Sequence, residues 1–124
     1  MPKVYVGSSL LNATAVRAVQ ERFRSAGVEI TYDWTTHGRV TSADDLAQYG
    51  RAELDGVLNS DLFFMMHPAR TGTHVELGIA LAAKIPIVMV NDLSAEQKTF
   101  YYLPNVHLFT DLEVAFSFAM RKLA

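Results

Sequence analysis

The chain has 124 residues, enough for one domain with a single core and too few for two. Half of the residues are hydrophobic and 19% are charged, as is typical of a globular protein. The 11 basic and 13 acidic residues give a net charge of -2, which argues against a nucleic-acid partner. The chain contains no cysteine, so disulfides, thiolate catalysis and thiolate zinc sites are excluded.

No apolar run approaches the ~18 residues that a membrane-spanning helix needs, and residues 1–9 lack the apolar region of a secretory signal. We therefore expect a cytoplasmic protein without a membrane partner. No repeat, linker or low-complexity segment interrupts the chain, so residues 1–124 are interpreted as one domain.

Alternating strand and helix patterns run along the chain. Short apolar, β-rich runs predict strands at residues 3–6, 28–32, 62–66, 85–90 and 106–109. Asn12 or Thr14 is expected to cap a first helix that stops at Gly27, and Ser42 is expected to open a second that runs to about Asn59. Further helices are predicted from about 73 to 84 and from 111 to 123, the last with Val114, Phe118 and Leu123 on its apolar side.

This order predicts a doubly wound α/β fold, with a mostly parallel five-stranded sheet and helices on both faces. In such folds ligands bind beyond the carboxyl ends of the strands, near the point where the strand order reverses. That rule indicates four polar or glycine-containing loops: residues 7–9, 33–34, 67–72 and 91–92.

The segment TGTHVELG at residues 71–78 carries the most distinctive carboxylate. With a helix beginning near Thr73, Glu76 lies in the first turn, where the helix dipole would keep it ionised and oriented as a nucleophile. The alternative is a capping box, because Thr73 and Glu76 also have the spacing in which the glutamate bonds back to the Thr73 amide.

The whole chain resembles the nucleoside 2-deoxyribosyltransferase superfamily, which includes deoxynucleoside 5′-monophosphate N-hydrolases. The similarity rests on a first strand running into Gly7-Ser8-Ser9, on the segment 59–61, and above all on GTHVELG at 72–78. The resemblance implies that Glu76 attacks the anomeric carbon of a nucleoside or nucleotide, in a reaction that needs no metal or other cofactor. Gly72 and Gly78 would let the backbone and the sugar approach closely.

A second acid is implied by the same resemblance. Counting back from Asp61 places it at Glu53, where the family usually has aspartate, and Asp55 is the competing candidate. Such a group would protonate or position the leaving base, and two close carboxyls fit a retaining mechanism.

Arg70 stands where transferases that act on unphosphorylated nucleosides tend to have an acidic residue. An arginine there favours a 5′-phosphate, bound together with backbone amides of residues 71–73, including Gly72 and Thr73, and of Ser8 or Ser9. Arg39 and Arg17 are weaker candidates for the same contact.

The remaining site predictions concern aromatic and polar side chains. Trp34 and Tyr5 are candidates to stack on a base, and Asp33 to contact the base edge or a sugar hydroxyl. His37, His67, His74 and His107 lie on different segments, which argues against a metal site. The aromatic segment 100–105 predicts a homodimer or higher homo-oligomer, since a neighbouring subunit often completes the pocket in this family.

Three interpretations of function remain. Transfer of the sugar to another base makes the protein a transferase, and transfer to water makes it an N-hydrolase; both use the same residues. The third is a non-catalytic nucleotide-binding or signalling module, because a fold does not fix a function. A flavin-binding protein is disfavoured, since the loop after the first strand lacks a dense run of serine and threonine.

Overall fold

The computed structural model describes residues 1–38, 41–91 and 98–124. Within these residues five strands form one sheet: Lys3–Gly7 (β1), Glu29–Ile30 (β2), Leu62–Met66 (β3), Ile87–Val90 (β4) and Val106–Phe109 (β5). The α-helices of the described chain are Ala13–Ser25 (α1), Ala43–Leu58 (α2), Thr71–Ala82 (α3) and Leu112–Leu123 (α4). Short 3₁₀ helices lie at Leu10–Asn12, Trp34–Thr36 and Thr99–Tyr102.

All paired strands are parallel, and the sheet order is β2-β1-β3-β4-β5. Helices α1 and α4 pack together on one face, where Phe23 lies 4.7 Å from Phe116 between ring centroids and Arg22 pairs with Glu113 at 2.6 Å. Helices α2 and α3 contact each other, α2 packs on β1, and α3 packs on β3 and β4. The predicted doubly wound fold is confirmed, and its strand order reverses between β1 and β3.

The core follows the apolar runs of the central strands. Every residue of β3 is buried, and Val4, Tyr5 and Val6 of β1 are fully buried. A strand buried on both faces reads as a continuous apolar run rather than an alternating one, which is why residues 62–66 were identifiable from the sequence. The described part of the chain includes no helix that is long and apolar enough to cross a membrane.

Helix starts agree only in part with the sequence predictions. The Ser42 side chain accepts from the Asp45 amide, as expected at the start of α2. Asn12 precedes α1 but does not cap it through its side chain, which donates to the Ser8 hydroxyl and the His67 carbonyl. The prediction of a side-chain cap there was therefore wrong.

Helix α3 begins at Thr71, two residues before the predicted start. Thr73 is consequently inside the helix, and the capping-box alternative for Thr73 and Glu76 does not hold. In α4 the prediction that Val114 faces the core was also wrong. Val114 is exposed, and Ala115 and Ala119 are the fully buried residues, because small side chains let the helix approach the sheet closely.

Candidate active site

A cavity of about 590 Å³, called here the catalytic cavity, lies where the loop after β1 meets α2 and the start of α3. This is the edge at which the sheet order reverses, as expected for a doubly wound fold. The structure brings together most of the residues predicted from the sequence. Those that line the cavity are Ser8, Ser9, Trp34, Glu53, Arg70, Gly72, Thr73 and Glu76.

A residue of the sheet, Tyr5, fixes the position of the Glu76 carboxyl by a hydrogen bond. Tyr5, which is fully buried on β1, donates its hydroxyl to Glu76 Oε2 at 2.6 Å. Gly7 explains how the carboxyl fits against the strand. A Cβ at Gly7 would lie 2.7 Å from the Phe63 ring and 3.1 Å from Glu76 Oε1, so any larger residue would displace one of them. Gly7 therefore supports the site without lining the cavity.

Burial, rather than the helix dipole, dominates the electrostatics of Glu76. Because α3 begins at Thr71, Glu76 lies in its second turn, beyond the reach of most of the dipole effect. Its side chain is only 7% exposed, and this burial raises the pKa of Glu76 to about 8. The Tyr5 hydrogen bond opposes the shift, whereas Glu53 adds to it. The expectation that the dipole keeps Glu76 ionised was therefore wrong.

Glu53 is the second carboxyl of the cavity. Burial raises its pKa, while the charge of His37 and a hydrogen bond with Glu76 act in the opposite direction. Two carboxyls that line one desolvated site keep a proton between them more readily than they carry two charges. Asp55, the competing candidate, is exposed and does not line the cavity. The structure thus places Glu53, and not Asp55, beside Glu76.

The Tyr5 phenol is kept protonated by this environment. Its burial and the negative charge of Glu76 both raise the pKa of Tyr5 far above its ordinary value. The hydroxyl therefore remains a hydrogen-bond donor to the carboxyl throughout the neutral range. Because the ring is fully buried, the expectation that Tyr5 stacks on a base was wrong.

Arg70 also lines the catalytic cavity. It is exposed, it precedes α3, and within the described chain its guanidinium makes no hydrogen bond or ion pair. The Arg17 guanidinium instead donates to the Thr35 carbonyl at 3.3 Å and does not line the cavity. Arg39 lies outside the described residues. Of the three arginines considered from the sequence, the structure places Arg70 at the cavity.

Ser8 and Ser9, which follow β1, differ in which of their polar groups already have hydrogen-bond partners. Ser8 Oγ donates to the Pro68 carbonyl at 3.0 Å and accepts from Asn12, and the Ser9 amide also donates to Pro68. The Ser9 amide is thus occupied, contrary to one of the predicted phosphate contacts. The Ser9 hydroxyl is buried and has no hydrogen-bond partner in the described part of the chain. The first backbone amides of α3 have no carbonyl partner within the helix. Unlike the Ser9 amide, they are therefore available to a ligand.

Trp34 and Asp33 make hydrogen bonds within the protein that the sequence did not predict. The indole of Trp34 is 7% exposed and donates to the Val6 carbonyl at 2.7 Å, although the residue lines the cavity. Asp33 does not line it. The Asp33 carboxylate accepts from the Thr35 amide and hydroxyl and from Gln20. Burial opposes ionisation of Asp33, but these hydrogen bonds outweigh it and lower its pKa. The geometry gives no support to substrate binding by Asp33.

Sequence reasoning missed one wall of the cavity. Leu46, Tyr49, Gly50 and Glu53 all line it from α2. Their spacing of i, i+3, i+4 and i+7 puts them on one helix face. Once Glu53 was a candidate, this spacing could have identified the other three residues from the sequence.

His37 stacks on Tyr49 with ring centroids 3.7 Å apart and hydrogen-bonds to the Tyr32 hydroxyl. Within residues 1–38, 41–91 and 98–124, no group of three or more His, Asp or Glu is placed to hold a metal.

Comparisons with known proteins identify solved structures of the same fold. A CMP N-glycosidase from Clostridium botulinum, BcmB, is 18% identical with a TM-score of 0.61, covering 96% of this chain and 98% of that one. BlsM is 17% identical with a TM-score of 0.68, covering 98% and 88%. A conserved protein from Enterococcus faecalis is 17% identical with a TM-score of 0.60, covering 95% and 87%.

These likenesses cover nearly the whole chain, so the fold expected from the sequence resemblance is confirmed. No family model matches the chain, and no curated protein matches it. At these identities the likeness establishes the fold and leaves the activity to be argued from the site.

Proposed function

We propose that the protein cleaves the N-glycosidic bond of a (deoxy)nucleoside or its 5′-monophosphate. The observation that carries the proposal is the pair of carboxyls, Glu53 and Glu76, that line one cavity at the sheet edge where such folds bind ligands. The fold shared with a CMP N-glycosidase supports the same class of reaction. No metal or other cofactor takes part in this scheme.

In the proposed reaction a Glu76 oxygen attacks the anomeric carbon as the C–N bond to the base breaks. The bond electrons leave with the base, and a proton from the carboxyl pair, delivered by Glu53, neutralises it. The resulting glycosyl ester is then attacked by water or by a second base, with Glu53 accepting the proton of the nucleophile. Close carboxyls of this kind, about 5 Å apart in retaining glycosidases, lead to net retention.

One proton shared by Glu53 and Glu76 allows Glu76 to act as the nucleophile and Glu53 as the acid. The pKa values of both carboxyls are raised, which favours a pair that keeps a proton, since a second negative charge in the same buried site is costly. When that proton moves to Glu53, Glu76 becomes the carboxylate nucleophile and Glu53 becomes the acid in a single step. The Tyr5 hydroxyl stabilises the Glu76 carboxylate at that moment through its hydrogen bond.

A nucleoside 5′-monophosphate is the substrate that the cavity fits best. Arg70 lines the cavity together with Gly72 and Thr73 of the first turn of α3, and a guanidinium and free helix amides are suited to a phosphate. Whether the sugar passes to water or to a base depends on how well the occupied cavity excludes water. We propose the hydrolase and transferase outcomes as alternatives on the same residues.

A second copy of the chain is expected to pack against the aromatic segment 100–105. Phe100 and Tyr102 are 61% and 60% exposed, and Leu103 beside them is also exposed, although Tyr101 is buried. Exposed aromatic side chains in one short segment are typical of a contact between subunits. Light scattering on active protein should give at least the mass of a dimer, and a strictly monomeric mass would exclude this association.

The proposal is tested by incubating the purified protein with deoxynucleosides, ribonucleosides and their monophosphates, and measuring the free base by chromatography. Adding a second base separates transfer from hydrolysis. Glu76→Gln should remove turnover while circular dichroism shows a folded protein. Asp55→Asn is the matched control, because Asp55 is an exposed carboxylate of α2 away from the cavity, and it should retain full activity. Release of base by folded Glu76→Gln would contradict the covalent mechanism. Nucleotide binding without any turnover would favour the non-catalytic module.

A further inference from the structure

The wall of the catalytic cavity next to Glu53 is aromatic. His37 and Tyr49 both line the cavity, and their rings stack with centroids 3.7 Å apart. Tyr49 lies one helical turn before Glu53 on α2, so the two side chains are neighbours on one helix face. His37 is also near enough to influence the ionisation of Glu53. The imidazole therefore lies on the side of the cavity that carries Glu53, whereas Arg70 precedes α3.

Tyr32 holds one of the two ring nitrogens of His37. The Tyr32 hydroxyl forms a hydrogen bond with His37 Nε2, and the two ring centroids lie 5.4 Å apart. Gly56 of α2 allows Tyr32 this position, because a Cβ at Gly56 would lie 2.8 Å from the Tyr32 Cβ and 3.0 Å from the Tyr5 ring. Tyr32 does not line the cavity. His37 makes no other hydrogen bond in the described part of the chain, so Nδ1 is the nitrogen available to a ligand.

The hydrogen bond with Tyr32 determines which nitrogen of neutral His37 carries hydrogen. Burial, followed by the charge of Glu53, raises the pKa of Tyr32, so its hydroxyl keeps its hydrogen at neutral pH. A phenol donates a stronger hydrogen bond than it accepts, and the hydroxyl therefore donates to Nε2. A neutral imidazole then has its single hydrogen on Nδ1. An imidazolium has hydrogen on both nitrogens, so His37 presents an Nδ1–H donor in either charge state.

A donor at this place suits the departure of the nucleobase. In the proposed reaction the electrons of the C–N bond leave with the base, and its acceptor atoms become more negative: O2 of a pyrimidine, or N3 and N7 of a purine. A hydrogen bond to such an atom strengthens in the transition state and so lowers the barrier. The base must lie beside Glu53, which supplies its proton, and His37 lies on the same side of the cavity.

We propose that His37 Nδ1–H donates a hydrogen bond to an acceptor atom of the leaving nucleobase. Tyr32 is the positioning residue that holds His37 in the required tautomer. Glu53 still delivers the proton, and His37 stabilises the negative charge that the base acquires before the proton arrives. This role rests on the proposed reaction, but the tautomer of His37 does not.

The tautomer is tested first, without substrate, by ¹⁵N NMR of the histidine side chains of the full chain. The spectra are recorded at mildly alkaline pH, where a free imidazole is neutral. Four histidines are present, and the signals lost in His37→Phe identify His37. We expect hydrogen on Nδ1 of His37 in the wild type and in Tyr102→Phe, an exposed tyrosine, and a move of that hydrogen to Nε2 in Tyr32→Phe. Hydrogen on Nε2 in the wild type, or no change in Tyr32→Phe, would overturn the proposal.

The role in turnover is tested with His37→Phe, which retains a ring that can stack on Tyr49 and removes the donor. Its kcat should fall about 10- to 100-fold, the loss of a hydrogen bond to a charged group, with KM nearly unchanged. His107→Phe is the matched control, because His107 also packs on an aromatic ring, that of Phe118 at 4.7 Å, and does not line the cavity. Circular dichroism checks that both variants are folded. A kcat of His37→Phe equal to that of the wild type would contradict the donor role.

Base analogues then identify the acceptor atom. For a purine substrate these are the 3-deaza and 7-deaza nucleotides, and for a pyrimidine substrate the 2-thio nucleotide, whose sulfur is a weaker acceptor. The advantage of the wild type over His37→Phe should largely disappear for the analogue that lacks the contacted acceptor. The same advantage on every analogue would show that His37 acts through the fold. Turnover by the wild type with no loss in His37→Phe contradicts this inference alone, whereas no turnover by the wild type contradicts the proposed function.

Discussion

The Tyr5→Phe substitution isolates the hydrogen bond that supports the Glu76 carboxyl. Phenylalanine preserves the buried ring and its packing against Phe63, 5.9 Å away between centroids, and removes only the hydroxyl that donates to Glu76 at 2.6 Å. The hydroxyl stabilises the ionised carboxyl, so its loss should raise the pKa of Glu76 above its present value of about 8.

The magnitude follows from the strength of such bonds. A hydrogen bond to a charged group contributes about 1.5–3 kcal/mol, and one pKa unit corresponds to about 1.4 kcal/mol, so the shift should be about one to two units. Only ionised Glu76 can attack, and its fraction below the pKa falls tenfold for each unit. At neutral pH kcat/KM should therefore fall about 10- to 100-fold.

The assay is a profile of kcat/KM against pH from 5 to 10, with the best nucleotide substrate of the panel. In the wild type the rate should rise with pH as Glu76 loses its proton, and in Tyr5→Phe the same rise should occur at higher pH. The deficit of Tyr5→Phe should shrink as the pH approaches 10, because the pKa of Glu76 in that variant lies at about 9–10 and its ionised fraction then approaches that of the wild type. Tyr102→Phe, an exposed tyrosine, is the matched control. A deficit that is equal at every pH, or an unmoved profile, would refute this account of Tyr5.

Three further predictions test the other groups of the site. Glu53→Gln should slow natural substrates far more than analogues with an activated leaving group, measured as initial rates, and equal slowing of both would assign the proton to another residue. Arg70→Ala should erase a preference of about 10- to 100-fold for a monophosphate over its nucleoside, with the nucleoside rate nearly unchanged; equal losses on both would make Arg70 structural. Glu76→Gln should stabilise the fold in urea. Because burial raises the Glu76 pKa, the carboxyl stabilises the folded state fully below its ordinary pKa of 4.5, and that stability is lost as the pH rises toward about 8. The gain should be near zero at pH 4 and about 2–4 kcal/mol at pH 8, and a gain that does not depend on pH would contradict the shifted pKa.

The sequence alone determined the order of the elements and the identity of the candidate nucleophile. The continuous apolar run at residues 62–66 located β3 at its observed bounds, since a strand buried on both faces is apolar at every position. The bounds of β5 were also predicted correctly, although this edge strand contains His107 and only its first residue, Val106, is buried. The edge strand β2 is shorter than predicted, and β4 begins at Ile87 rather than at residue 85 because Pro86 has no amide hydrogen for the sheet. The carboxylates Glu53 and Glu76 came from the family resemblance, and the structure places both in one cavity.

Only the tertiary structure decided the chemical state of those carboxyls. Tyr5 and Glu76 are 71 residues apart in the chain, and the pairing of β1 with β3 brings them into contact. The same holds for the network of His67, His74 and Tyr101, whose members come from three separate segments. A local pattern records the period of a helix or strand, whereas desolvation and hydrogen bonding depend on which distant segments pack against a side chain. That is why the sequence identified Glu76 but predicted it to be ionised, and why its raised pKa required the fold.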